Sequence, residues 1–207
     1  MVERSVPGYR ASLDLIAALA PPFLHTSPHL GYDLGCALGG SSMAMLAAVN
    51  NPNCRVIAVD NAAPMLRQML RHTEERDETR ITPLQADMQE VEFTAASLIV
   101  LHLTLQFIPV ARRNRLLTRC GAALVPQGGL LLFEKTTATP LVAQAHLQFK
   151  ANNGYSQLEI TQKRQALEQV LTPESRAAHE ERLRASGFSR VTCVFTALNF
   201  VGWLAQL

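Results

Sequence analysis

The sequence predicts an α/β fold built on a mainly parallel, seven-stranded sheet. Three observations point there. Strand and helix patterns alternate through most of the 207 residues, and a glycine-rich turn, Gly31-Tyr-Asp-Leu-Gly-Cys-Ala-Leu-Gly-Gly40, joins a short apolar strand to an apolar helix. The last two β-like runs sit too close together for a helical crossover and should pair antiparallel.

Each element has its own signal. Leu13, Ile16, Ala17 and Leu19 mark a first helix that stops at Pro21-Pro22. Tyr32 to Leu34 is the first core strand, and Ser41 to Val49 the helix after the glycine turn. Arg55 to Asp60 is the second strand. Pro64 to Glu74 is a helix with proline near its start, and Ile81 to Ala86 is the third strand. Leu98 to Leu103 is the fourth strand, Ala111 to Leu124 a helix, and Gly129 to Phe133 a fifth strand apolar enough to be covered on both faces. A helical insertion runs from about 139 to 186, ended by Gly187, and Val191 to Thr196 and Leu198 to Leu204 form the terminal antiparallel pair. Residues 1–207 thus form one domain, and this order of elements describes the Rossmann-like sheet of class I S-adenosylmethionine enzymes.

Composition excludes several alternatives. With 48% hydrophobic and 17% charged residues, the chain suits one α/β domain burying roughly 70% of its unfolded surface. A net charge of +2 is too mild to make nucleic acid a default partner. Cys36, Cys54, Cys120 and Cys193 are scattered with no C-x-x-C pair, which fits free thiols in a cytoplasm better than a disulfide framework or a zinc site. The N-terminus has no apolar run of signal-peptide type. The most apolar stretch, Ser97 to Val110, is broken by His102, Thr104, Gln106 and Pro109 and is too short to span a bilayer.

The glycine turn defines the ligand class. Gly35-Cys-Ala-Leu-Gly-Gly40 approximates the dinucleotide fingerprint with alanine, Ala37, at the central glycine, the one that lets backbone approach a pyrophosphate. That disfavours a nicotinamide dinucleotide. A sulfonium nucleoside without phosphate suits better, with the acidic Asp33 at the turn's entrance. Ligands in such sheets lie beyond the carboxyl ends of the strands. There Asp60 can accept from a ribose diol, Asp87 with Met88 can meet adenine, and His102 leaves the fourth strand where the methionyl part should lie. The bland reading of each is a capping aspartate or a satisfied buried histidine.

A second signal lies in the helical insertion. If Gln157 to Leu171 is one helix, Ile160, Arg164, Leu167 and Leu171 share its apolar stripe. An inward guanidinium needs a partner: Glu168 one turn along, water reached with the stem lying on apolar surface, or a ligand carboxylate, for which arginine offers a two-point donor fork.

These residues carry a resemblance. Arg4-Ser-Val-Pro-Gly-Tyr9, Tyr32-Asp-Leu-Gly-Cys36, Ile57-Ala-Val-Asp-Asn61, Thr104-Leu-Gln-Phe107, Asn153-Gly-Tyr-Ser156, Glu159-Ile-Thr-Gln-Lys-Arg164 and Asn199-Phe200 resemble the carboxy-S-adenosyl-L-methionine synthases of bacterial tRNA wobble-uridine modification, over essentially the whole chain. The resemblance implies an enzyme that converts S-adenosyl-L-methionine and prephenate into carboxy-S-adenosyl-L-methionine and phenylpyruvate, without a metal. A separate tRNA carboxymethyltransferase then uses the product. The family precedent favours a homodimer, while the cysteine pattern and the lack of a signal or spanning segment point to the cytoplasm and away from membranes, and direct tRNA binding is not expected. By resemblance, Tyr9 lies beside the cofactor, Gly35, Cys36 and Ala37 line its methionyl and ribose part, Asp60 and Asn61 hold the ribose and adenine region, Asp87 and Met88 flank adenine, and Arg164 binds the transferred carboxylate. Two residues depart from the family pattern, Ala37 standing for a serine and His102 for an asparagine; the family also carries a further segment ahead of Arg4.

The implied chemistry needs little from side chains. A sulfonium acidifies its methyl group, and prephenate loses carbon dioxide and hydroxide as its ring aromatises, so the protein has mainly to position and enclose, with Arg164 stabilising the new carboxylate. The alternatives are a conventional methyltransferase, although the chain has His102-Leu-Thr-Leu105 where nucleobase amino-methyltransferases place an Asn/Asp-Pro-Pro-aromatic motif, and a non-catalytic nucleoside-binding protein that presents Arg112, Arg115 and Arg119 to RNA.

Overall fold

In the computed structural model, which describes residues 2–168 and 170–207 with the side chains of Lys163, Arg164 and Glu168 left aside, a seven-stranded sheet runs through the middle of the molecule. Its strands are β1 (Leu30–Leu34), β2 (Arg55–Asp60), β3 (Ile81–Gln85), β4 (Ala96–His102), β5 (Leu124–Lys135), β6 (Arg190–Ala197) and β7 (Phe200–Gln206). Their order is β3-β2-β1-β4-β5-β7-β6. The first five are parallel, and β7 pairs antiparallel with both β5 and β6. The antiparallel terminal pair is as the sequence predicts, because the two-residue turn at Leu198-Asn199, with Leu198 at φ 52°, leaves no room for a crossover.

Alternation along each strand divides the core. Leu98, Val100, Leu131 and Phe133 face one side, where they meet Ile16 of α1 (Tyr9–Leu19), Phe23 and Leu24 of α2 (Pro21–Leu24), Met45 and Leu46 of α3 (Gly40–Leu46), and Leu66 and Met69 of α4 (Ala63–Glu74). Ile99, Leu101, Leu130 and Leu132 face the other, against Leu116, Leu117 and Cys120 of α5 (Val110–Ala123). Leu183 of α8 (Arg176–Ala185) completes that layer together with Phe188. Burying a leucine or phenylalanine on either face contributes about 1.5 to 3 kcal/mol, so both layers are needed to stabilise the sheet.

Some boundaries differ from expectation. Pro21-Pro22 does not simply stop the first helix; both prolines open the short α2, where a missing N–H costs nothing. The helix after the glycine turn ends at Leu46 and not at Val49. The helical insertion is three helices, α6 (Pro140–Asn152), α7 (Gln157–Glu168) and α8, and the last packs on the sheet as its crossover helix before β6. Helix α7 ends at Glu168, so Leu171 lies outside it, although the Leu171 amide still donates to the Leu167 carbonyl at 2.8 Å.

Candidate active site

The sheet order reverses direction between β1 and β4, and the candidate site gathers at the carboxyl ends of those strands. The turn after β1 is held in a shape few residues adopt: Gly35 at φ 77°, Ala37 at φ 47° and Gly39 at φ 79°. Gly35 is required by close approach as well, since a Cβ there would meet the Thr104 Cγ2 at 2.3 Å. Facing it across the crevice, Leu103 is also left-handed, at φ 62°. Two non-glycine residues in that region at adjacent strand ends are a strained pair of the sort that functional sites store.

Four of the six backbone donors from Gly35 to Gly40 are spent internally. Gly35 and Cys36 both donate to the Val59 carbonyl, at 2.8 and 3.0 Å, and Gly39 donates to Cys36 at 2.8 Å. The Ala37 N–H donates to Asp60 Oδ2 at 2.9 Å, while Asp60 Oδ1 accepts from Ala62 N–H at 2.8 Å. The Asp60 carboxylate set against the turn is a poor neighbour for a pyrophosphate. Each Asp60 oxygen keeps a second lone pair that a ribose hydroxyl can use.

Beneath the turn, Asp33 is buried and accepts from Ser42 Oγ at 2.6 Å. Burial raises its carboxyl to about 6 against the pull of Ser42, and the neighbouring Asp60 charge adds to the rise. Tyr9, the first residue of α1, reaches over the start of α3, where a Cβ on Gly40 would come within 3.1 Å of its Oη. Its ring lies 5.3 Å from that of His102 at 34°, and His102 meets Phe133 edge-on at 5.2 Å. Ser12 Oγ is 2.8 Å from His102 Nε2. Burial lowers His102 to about 4, so it is neutral at physiological pH.

Beyond the ends of β2 and β3, Asn61 and Asp87 are exposed and Met88 is half-buried. The Asp87 carboxylate accepts from the Gln89 backbone N–H at 2.9 Å and from Gln89 Nε2 at 3.2 and 3.1 Å, local bonds that fix its direction. Arg164 belongs to α7, whose residue Ile160 is buried as the stripe predicts; the Arg164 side chain lies outside the described residues. Among the described residues, no group of three or more His, Cys, Asp or Glu could hold a metal, and no helix is long and apolar enough to cross a membrane.

Comparison with known proteins separates fold from family. Residues 32–128 match the model of a methyltransferase domain family. The carboxy-S-adenosyl-L-methionine synthase of Geobacter metallireducens is 43% identical over 100% of this chain and 87% of its own length. Those of Stutzerimonas stutzeri and Colwellia psychrerythraea are 40% and 37% identical over 99% of the chain. The chain belongs to the carboxy-S-adenosyl-L-methionine synthase family. Among solved structures, the mitomycin 7-O-methyltransferase superposes with a TM-score of 0.68 at 17% identity, covering 95% of this chain and 53% of that one. A putative O-methyltransferase from Nostoc punctiforme gives 0.69 at 19%, covering 94% and 55%. The chain thus spans about half the length of these enzymes, and at such identity they establish the class I S-adenosylmethionine methyltransferase fold alone. This family member is an enzyme of transferase type with S-adenosylmethionine chemistry.

Family-specific segments far apart in the chain come together in it. Arg4 donates to the carbonyls of Asn153 and Gly154 and lies over the Tyr155 ring, while Ser156 and Glu159 form a reciprocal capping box that starts α7. Asn199 Nδ2 donates to the Thr136 carbonyl at 2.8 Å, and the Thr136 amide returns a bond to Asn199.

Three residues of the site's framework escape the sequence reading. Ser12 has no signal beyond a polar residue in an apolar helix. Glu134 is fully buried and accepts from the amides of Thr104, Leu105 and Gln106, at 3.0, 2.7 and 2.9 Å, so it shapes the turn after β4 that presses Thr104 on Gly35. Its signal was a charge directly after an apolar strand. Arg113 is fully buried, donating to Ile108, Gln106 and Thr172 carbonyls and to Glu174. It shares a helical stripe with Leu116, Leu117 and Cys120, the same inward-arginine pattern noticed at Arg164. Arg112 and Arg115 are exposed, but Arg119 is not part of a free basic face: its guanidinium donates to Gln89 and Val91 carbonyls and lies over Phe93.

Proposed function

We propose that this chain is a carboxy-S-adenosyl-L-methionine synthase that converts S-adenosyl-L-methionine and prephenate into carboxy-S-adenosyl-L-methionine and phenylpyruvate. The observation that carries the reading is the Arg4 clamp on Asn153 and Gly154. It joins two of the segments that carry the resemblance to this family. The Asp60 carboxylate set against the glycine turn adds support, since it suits a ribose diol and not a phosphate.

In this reading Asp60 and Asn61 hold the ribose and adenine region, Asp87 and Met88 flank adenine, and Tyr9, Gly35, Cys36, Ala37 and His102 surround the methionyl part. Arg164 receives the new carboxylate through a charge-assisted fork worth roughly 1.5 to 3 kcal/mol per bond. The sulfonium supplies an acidified methyl group. Prephenate supplies carbon dioxide, which bonds to that carbon, and hydroxide, which leaves as water with the methyl proton. The side chains hold the two substrates together and exclude bulk water. The product would serve a separate carboxymethyltransferase acting on the tRNA wobble uridine, with this enzyme working as a cytoplasmic homodimer.

The test is incubation with both substrates followed by mass spectrometry. A nucleoside heavier than S-adenosylmethionine by one carbon dioxide, formed in step with phenylpyruvate, is expected. Unmodified cofactor with no phenylpyruvate would refute the proposal. Arg164→Leu should abolish retention of the carboxylated species and leave S-adenosylhomocysteine binding intact.

A further inference from the structure

A serine hydroxyl owns a single hydrogen, and the buried Ser12 has two partners competing for it. Its Oγ lies 2.7 Å from the Tyr9 carbonyl oxygen and 2.8 Å from His102 Nε2. The carbonyl can only accept, so a 2.7 Å approach is attractive only with the hydroxyl hydrogen pointing at it. Toward the imidazole, Oγ therefore presents a lone pair, and Nε2 must be the donor. A neutral imidazole carries one N–H, which leaves Nδ1 bare. Nδ1 meets no hydrogen-bond partner among the described residues, and the rings of Tyr9 and Phe133 hold the imidazole in place.

The place matters as much as the tautomer. Asp33 of β1 pairs with Val100 of β4, so carrying the register forward sets His102 beside Gly35 at the mouth of the glycine turn. Burial makes the ring a weak base, which suits it to accept a hydrogen bond and not to remove a proton. Building on the S-adenosyl reading above, we infer that Ser12 is a positioning residue that locks His102 as its Nε2–H tautomer and so presents the bare Nδ1 to the ammonium of the ligand's amino-acid tail. A lone pair attracts the ammonium and repels the carboxylate carried on the same α-carbon, so the lock sets which of the two groups faces His102.

The lock is read directly by long-range proton–nitrogen correlation on protein carrying nitrogen-15 histidine, with His102→Asn used to assign the ring. The parent should show a protonated Nε2 and a bare Nδ1, and Ser12→Ala should admit the other tautomer. Binding supplies the second readout, with S-adenosylhomocysteine and its analogue lacking the amino group as probes. Ser12→Ala and His102→Phe should each weaken S-adenosylhomocysteine about 10-fold, the worth of one charge-assisted bond, and change the analogue less than about 2-fold. His102→Asn, whose Oδ1 occupies the place of Nδ1, should keep the preference for the amino ligand. A bare Nε2 in the parent, or equal losses for both ligands, would overturn the inference. If the parent binds neither ligand, the S-adenosyl reading falls with it; if it binds both and His102→Phe leaves both unchanged, only this inference falls.

Discussion

Arg4 Nε donates to the Asn153 carbonyl at 2.7 Å and its Nη2 to the Gly154 carbonyl at 2.5 Å, with the guanidinium 4.9 Å above the Tyr155 ring. Residues 149 and 150 positions apart are thereby joined, and the strap ahead of Tyr9 is tied to the loop that begins α7. Because Arg4 is exposed, Arg4→Ala should cost no more than about 1 kcal/mol of global stability. Amide hydrogen exchange should nevertheless quicken in both the strap and the 153–160 segment. Unchanged protection in either segment would show that the clamp does not couple them.

Asp60 spends both oxygens on the amides of Ala37 and Ala62. Asp60→Ala should therefore lose more in ligand binding than in stability, because these amides can turn to water while ribose loses its acceptor. We expect about 1 kcal/mol of destabilisation and at least about a 10-fold weaker S-adenosylhomocysteine complex by calorimetry. Parent protein that bound a nicotinamide dinucleotide as tightly as S-adenosylhomocysteine would contradict the role given to the Asp60 carboxylate beside the turn.

Glu134 faces three backbone N–H donors. Glu134→Gln keeps the shape but turns an amide NH2 against at least one of them, and should cost about 2 to 4 kcal/mol in denaturant unfolding. A loss below about 1 kcal/mol would mean that the turn after β4 holds its shape without this carboxylate.

His179 is buried against Trp203, with ring centroids 5.2 Å apart and neither ring nitrogen partnered among the described residues. Burial lowers it to about 4, as it does His102. Both values lie below the ordinary 6.5, so the fold favours the neutral rings. That stability is fully present above about pH 6.5 and is lost as the pH falls toward about 4. His179→Phe should flatten the fall of melting temperature across that window, leaving the part due to His102. A slope identical to the parent's would remove His179 from the account.

Much of the fold was legible because local chemistry dictates it. The near-continuous apolar run of β4, the bounds Arg55–Asp60 of β2 and the proline at the start of α4 follow from burial and backbone rules that act over a few residues. The site was legible where a strand end delivers a side chain in register, as for Asp60 and His102. It was illegible where the partner is distant in sequence. That Asp60 clamps the turn it was expected merely to face, and that Arg119 is tied to the 89–91 backbone, depend on contacts between segments 23 to 30 residues apart.

By itself, then, the sequence determined a mainly parallel α/β sheet, a turn fit for a nucleoside without pyrophosphate, and membership of a synthase family, since periodicity, glycine placement and motif identity are all properties of the chain read in order. Tertiary structure alone decided where hydrogens and lone pairs go. Ser12 and His102, 90 residues apart, share one hydroxyl, and Glu134 reaches back 28 to 30 residues to hold the turn after β4. A hydrogen bond is set by distances of about 3 Å and by which partner owns the hydrogen, and neither quantity exists until the chain has folded.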